Sequence, residues 1–137
     1  DLGNVRFLRG SALALPGEDG QFAAACISFG LRNTADYGRV LREMRRVVQP
    51  GGMVYCLDSF VPDNWLIRPF YRLYFRYLMP LIGGGRRDAA CYRWLYESTE
   101  RFLRRDALEA LFREVGMTGV QAESRMFGAC VLVLGCA

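Results

Sequence analysis

A chain of 137 residues is at most one domain, and 52% hydrophobic residues are enough to bury a core. The formal net charge is +4, with every positive charge on arginine; lysine and histidine are both absent. That composition removes the commonest general base and metal ligand, and it removes Schiff-base chemistry.

The cysteines, Cys26, Cys56, Cys91, Cys130 and Cys136, show no CxxC spacing. An odd, scattered set with Cys26, Cys56 and Cys130 in apolar runs reads as reduced thiols packed as small core hydrophobes. Neither a disulfide framework nor a zinc site is expected. The sequence shows no signal peptide and no apolar run long enough to cross a bilayer. It opens on Asp1-Leu2-Gly3-Asn4 rather than on methionine.

In chain order, Val5 to Leu8 is a short strand candidate, and Pro16-Gly17-Glu18-Asp19-Gly20 is a turn cluster. Phe22 to Phe29 is almost continuously apolar and suits a strand buried on both faces, as in a parallel sheet. It runs into Ser28-Phe29-Gly30-Leu31-Arg32-Asn33, a turn at a strand's carboxyl end, where open α/β sheets bind ligands. Thr34 or Asp36 can cap the next helix, which runs to Val48 with Tyr37, Val40, Leu41, Met44 and Val47 at helical spacing. Its other side carries Arg39, Arg42, Glu43, Arg45 and Arg46 and reads as a solvated face. Pro50-Gly51-Gly52 ends it, and Met53 to Leu57 is a second strand with Asp58 at its carboxyl end. Residues 22–58 are therefore a strand–helix–strand unit, a parallel pair with a right-handed crossover.

Trp65 to Leu81 has helical period, with Leu66, Ile67, Phe70, Tyr71, Leu73, Tyr74, Tyr77 and Leu78 on a broad apolar face. Arg68, Arg72 and Arg76 lie opposite, and Gly83-Gly84-Gly85 stops the helix. Asp88 to Thr99 is a further helix, and Arg105 to Val115 another, ended by Gly116. Gly119 to Arg125 and Cys130 to Cys136 are two strands close enough in sequence to pair antiparallel. The basic charge alone allows nucleic-acid binding, but no DNA- or RNA-binding motif accompanies it.

Several of these motifs together resemble one family. Ser28-Phe29-Gly30-Leu31-Arg32-Asn33, Leu41-Arg42-Glu43-Met44-Arg45-Arg46-Val47, Pro50-Gly51-Gly52 and Tyr92-Arg93-Trp94-Leu95-Tyr96-Glu97-Ser98 are similar to signatures of the UbiE/MenG quinone C-methyltransferases. The Pro-Gly-Gly turn is common to many methyltransferases; the other signatures are more specific. The resemblance implies an α/β class I S-adenosylmethionine-dependent methyltransferase (Rossmann-like) fold, with a mostly parallel sheet and a C-terminal antiparallel hairpin. It implies S-adenosyl-L-methionine as cofactor and a prenylated quinol as acceptor, most simply demethylmenaquinol. The adenine-side contact pair falls on Ser11 and Ala12, and the cofactor-lining serine on Ser28. Two positions depart from the family's habit: Ser11 stands where Asp or Asn is usual, and Ala23 where Asp commonly follows the Phe.

The family's glycine-rich cofactor loop has no counterpart in residues 1–137. In this fold the chain supplies the third strand and the last four. It is therefore expected to be the C-terminal part of one methyltransferase domain, incomplete at its N-terminus, with an aromatic, arginine-rich helical insert at about 62–105.

Methyl transfer to a quinol carbon needs alignment, and stabilisation of the phenolate that activates the carbon. With no histidine or lysine, the catalytic candidates are Arg32 and Asn33, with Asp58 orienting substrate or base. The plain alternative is that Arg32 and Asn33 cap the following helix and pair with a nearby carboxylate. Asp58 can equally cap a turn, and Ser28 can be a buried strand residue. The segment Trp65 to Phe102 has three open readings: a lid over a ring-and-prenyl pocket, a surface resting on an anionic bilayer, or ordinary core with a basic outer face. A cytoplasmic protein, peripheral on the inner face of the membrane, accommodates the first two, and a homodimer is an assembly open to it. Two rivals remain: a methyltransferase for another small lipophilic acceptor, and a non-catalytic interaction protein that has lost cofactor binding.

Overall fold

The computed structural model describes residues 3–62, 64–78 and 89–137, without the side chains at 75, 76, 89, 90 and 92. Among these residues the chain forms a four-stranded open sheet in the order β1-β2-β4-β3. The strands are β1 (Phe22–Ser28), β2 (Val48–Ser59), β3 (Thr118–Arg125) and β4 (Cys130–Cys136). The helices are α1 (Tyr37–Val47), α2 (Ile67–Leu73), α3 (Ala89–Arg101) and α4 (Arg105–Glu114).

β1 and β2 pair in parallel around α1, as the strand–helix–strand pattern requires, and the C-terminal hairpin adds two antiparallel pairings. The sheet is thus mixed rather than mostly parallel, because the hairpin supplies half of its strands. Asp36 caps α1, its carboxylate accepting from the Arg39 backbone N–H at 2.9 Å. That bond satisfies one of the donors a helix start leaves unpaired. The charged side of α1 stays solvated at Arg39, Arg42 and Arg45, and it also clamps neighbouring backbone. Arg46 donates to the Gly17 and Leu15 carbonyls, Glu43 accepts from the Leu15 N–H, and Arg45 donates to the Val115 carbonyl.

β2 starts at Val48, earlier than the apolar run suggests, because the Pro50-Gly51-Gly52 turn is absorbed into the strand. Gly51 takes a left-handed φ of 81°, which an L side chain resists. A Cβ on Gly52 would lie 2.5 Å from the Ala23 carbonyl oxygen and 2.5 Å from a Val48 methyl. Glycine there is what lets β1 and β2 approach.

The core lies on one face of the sheet. Val54 and Cys56 of β2 and Val131 and Val133 of β4 meet Val40, Leu41 and Met44 of α1 and Leu108 and Phe112 of α4. Phe60, Tyr37 and Phe102 close it at the carboxyl end of β2, with ring centroids 5.2 and 5.3 Å from Phe102. The other face carries Met53, Tyr55 and Leu57 beside Leu132, Leu134 and Cys136, all half-buried, and it ends in the exposed Ala24, Cys26 and Ser28.

Several expectations change here. β1, an edge strand among the described residues, is not buried on both faces: Ala25 and Ile27 turn toward the core, while Ala24, Cys26 and Ser28 lie on the opposite face, which stays exposed. Cys26 is consequently exposed, and Cys130 is only half-buried. Val5 to Leu8 is not a strand. Val5, Phe7 and Leu8 are exposed, since an isolated apolar run has no ladder to join. The helix from Trp65 does not bury its broad apolar face. Among its described side chains only Tyr71 is buried, with Ile67 half-buried, and α2 passes into a π-helical turn, Tyr74–Leu78. Leu81, Gly83 to Gly85 and Asp88 lie outside the described residues.

Candidate active site

The rim of interest is where β1 and β2 end side by side, Ser28 in register with Leu57. Phe29 leaves β1 with its N–H bonded to the Leu57 carbonyl at 2.8 Å and with a left-handed φ of 52°. A phenylalanine held there is strained, a condition that persists only when the surroundings impose it. The chain then makes one 3-10 turn, Leu31–Asn33, pinned by the fully buried Leu31.

That turn delivers Arg32 to Asp58. The carboxylate is fully buried and the guanidinium 8% exposed. Arg32 Nη1 donates to Asp58 Oδ1, the Arg32 backbone N–H donates to Oδ2 at 3.3 Å, and the Ser59 N–H donates to Oδ1 at 2.8 Å. Arg32 Nε donates to Ser98 Oγ on α3 at 3.2 Å. One buried charge pair therefore ties together the β1 turn, the end of β2 and the helical insert. Asn33 makes a second tie, its Oδ1 accepting from Trp94 Nε1 at 3.1 Å while its Nδ2 donates to the Phe29 carbonyl. Neither residue caps α1; Asp36 does. The carboxylate partner foreseen for Arg32 is Asp58.

Ser28 is exposed at the rim rather than buried in its strand. Ser11 and Ala12 belong to a separate segment. Ser11 Oγ accepts from the Leu13 N–H at 3.2 Å, Ala12 packs on the core, and the hydrogen bonds holding this stretch run to α1 through Arg39 and Glu43. Among the named candidates, the structure gathers Ser28, Arg32, Asn33 and Asp58 on one rim. Ser11 and Ala12 are held against α1.

Ser98 and Trp94 escaped the sequence reading as site residues, although they lie in the Trp94-Leu95-Tyr96-Glu97-Ser98 run. Their four-residue spacing places them one turn apart on α3, the detail that marks them as a pair. Burial, then the charge of Glu100, pushes the Tyr71 phenol up to about 12, so it stays protonated. Burial and then Asp58 push the Cys56 thiol up to about 12 and raise Cys130 too, which leaves both unfit as bases or nucleophiles. α2 and α3 are joined by a two-pronged bond from Arg72 to Glu100, at 2.9 and 3.1 Å, with Tyr96 donating to the same carboxylate. That bond holds the Glu100 carboxyl below its ordinary value. Among the described residues no cluster of three metal-ligating side chains occurs.

Beyond Asp58 lies a cleft of 390 Å³ between the exit of β2, the start of α2, the α3–α4 junction and the β3–β4 turn. Phe60, Phe102 and Phe127 give it aromatic walls, and Arg68, Arg105 and Ser124 give it polar ones.

The ubiE/COQ5 methyltransferase family matches residues 1–137, from end to end. The chain belongs to that family. It is 43% identical over 135 residues to a demethylmenaquinone methyltransferase from Geobacillus kaustophilus, covering 98% of this chain and 58% of that relative. With its counterpart from Halalkalibacterium halodurans the identity is 46% over 131 residues, 94% of this chain and 54% of the relative. The chain thus spans a little over half the length of the curated relatives it matches. Among solved structures, an S-adenosylmethionine-dependent methyltransferase from Thermotoga maritima, described as a possible histamine N-methyltransferase, aligns with a TM-score of 0.66. That alignment has 20% identity and covers 94% of this chain and 62% of the other, a likeness in fold. The open sheet with its C-terminal hairpin is therefore a Rossmann-like methyltransferase fold, as the motif resemblance implied.

Proposed function

We propose that the protein, at the full length of its relatives, transfers a methyl group from S-adenosyl-L-methionine to a ring carbon of a prenylated quinol, converting demethylmenaquinol to menaquinol. The observation that carries this reading is the buried Arg32–Asp58–Ser98 tie, made by the family's own signature residues at a sheet's carboxyl rim.

The cofactor supplies an electrophilic methyl on a sulfonium. This chain's contribution toward it is one wall: the exposed Ser28 hydroxyl and the small side chains of Ala24 and Cys26 on the exposed face of β1. Those neutral, uncrowded groups fit a bulky nucleoside, and Ser11 and Ala12 are the candidates for its adenine side. The acceptor must lose a phenolic proton for its ring carbon to attack. Asp58 fixes the plane of the guanidinium, and Ser98 occupies Nε. Arg32 Nη2 is then the nitrogen left to donate to the quinol oxygen and steady its negative charge, with the proton leaving through water. Asn33, clamped by Trp94 and the Phe29 carbonyl, sets the position of the turn. Such an acceptor lives in a bilayer, which favours a peripheral place on the inner face of the membrane; a homodimer is the assembly to look for there.

The test is product formation from detergent-solubilised demethylmenaquinol and labelled S-adenosylmethionine. Arg32→Gln is expected to lower kcat about a hundredfold or more, the usual weight of one donor to a developing oxyanion. Full activity in that variant would remove Arg32 from the chemistry. No methylated quinol from the unaltered protein would sink the reading itself.

A further inference from the structure

The side chain of Phe29 stands at the rim, outside the core. Its ring is 45% exposed and takes no part in the buried cluster. Packing therefore does not account for it. Yet it occupies the position in the β1 turn, φ 52°, where a side chain is strained and glycine is not. The turn does contain a glycine, one residue further on. Gly30 sits at φ −115° and ψ −33°, a conformation open to any residue. What glycine gives there is room beside Ile27, whose side chain a Cβ would meet at 3.2 Å. The sequence thus keeps a phenylalanine where the backbone favours glycine.

The strained backbone is held from both sides. The Phe29 N–H donates to the Leu57 carbonyl at 2.8 Å, and the Phe29 carbonyl accepts from Asn33 Nδ2 at 3.3 Å. Trp94 Nε1 in turn donates to Asn33 Oδ1. Strain that its surroundings over-determine in this way gathers at functional sites.

The strain delivers a ring to Arg32. The guanidinium carbon lies over the Phe29 ring, 5.9 Å from its centroid, within cation–π reach. Asp58 Oδ1 accepts from Nη1 and Ser98 Oγ accepts from Nε. A guanidinium donates in its own plane, so those two bonds hold it by two edges. The ring adds a third boundary, on the side of the β1 end, and helps keep the group 8% exposed. A donor that is fixed and dry before the acceptor arrives stabilises developing charge best.

We propose that Phe29 is a positioning residue of the methyl-transfer site: its aromatic ring, kept in the left-handed region despite the strain, fixes and dries the Arg32 guanidinium so that Nη2 meets the acceptor oxygen in one orientation. This role rests on the Arg32 chemistry proposed above.

Phe29→Gly separates the ring from the fold. Glycine relaxes at φ 52°, so the urea midpoint should hold or rise. Methyl transfer by the full-length protein should fall about tenfold or more in kcat, with the KM for S-adenosylmethionine unchanged. Phe29→Leu keeps a restricted backbone and an apolar cover but no π face, and should lose kcat as well. Phe29→Tyr keeps the ring and should retain kcat. A second readout needs neither acceptor nor cofactor: exchange of the Arg32 Nε proton with solvent, followed by heteronuclear NMR and assigned by its absence in Arg32→Gln. It should quicken in Phe29→Gly. Unaltered kcat in the glycine or leucine variant would overturn the proposal, as would unchanged exchange. A urea midpoint that drops in Phe29→Gly would overturn it too, by making the ring a structural prop. No methylated quinol from the unaltered protein would sink the acceptor reading, and the exchange measurement would still judge Phe29.

Discussion

Removing Asp58 should cost more than removing its partner. In Asp58→Ala the Arg32 guanidinium, 8% exposed, is left with Ser98 as its protein partner. Two backbone N–H groups, of Arg32 and Ser59, lose their acceptor in the same step. Breaking a buried pair from one side typically costs about 3–5 kcal/mol. In Arg32→Ala the carboxylate keeps those two backbone donors, so part of its charge remains solvated by the chain, and the loss should fall at or below the low end of that range. Urea unfolding followed by circular dichroism, for both single variants and the double, measures the difference. The coupling should reach about 1–3 kcal/mol, the range for residues sharing a buried network. A typical domain has only about 5–15 kcal/mol in total, so either loss moves the midpoint visibly. Additive losses, each under about 1 kcal/mol, would refute the claim that this pair organises the rim.

Gly52→Ala should unfold at lower urea, by about 1–3 kcal/mol, since its Cβ would meet the Ala23 carbonyl oxygen and the Val48 side chain 2.5 Å away. Phe112→Ala should lose about 3–5 kcal/mol, because its ring is fully buried between α4 and the sheet. Glu100 has a lowered folded-state pKa, caused first by the Arg72 hydrogen bond. Its contribution is therefore present above the ordinary value of 4.5 and is lost as pH falls through the folded value. Urea midpoints measured downward from that pH should drop less steeply for Glu100→Gln, and equal slopes would count against the assignment. Thiol labelling at neutral pH should modify the exposed Cys26 and Cys91 promptly and reach the buried Cys56 only after denaturation. Mass spectrometry of the labelled peptides reports which.

The sequence by itself determined the elements that rest on local pattern. α1, the β1–α1–β2 unit and the C-terminal hairpin follow from periodicity, caps and glycine stops, and they form in the order the pattern gives, with β2 beginning earlier, at Val48. The Phe-Gly-Leu-Arg-Asn and Tyr-Arg-Trp-Leu-Tyr-Glu-Ser signatures carried the family, and Asp58 was legible as a strand-end carboxylate beside the Ser28 strand end. Tertiary structure decided what each residue faces. An apolar run cannot tell a central strand from an edge strand, since that depends on which neighbour pairs with it, so β1 emerged exposed. A helical apolar face does not say whether it meets core or solvent, so α2 turned its stripe outward. The ties of Ser98 to Arg32 and of Trp94 to Asn33 span 66 and 61 residues of sequence. No local spacing encodes such pairs; they exist only because the insert folds back over the rim.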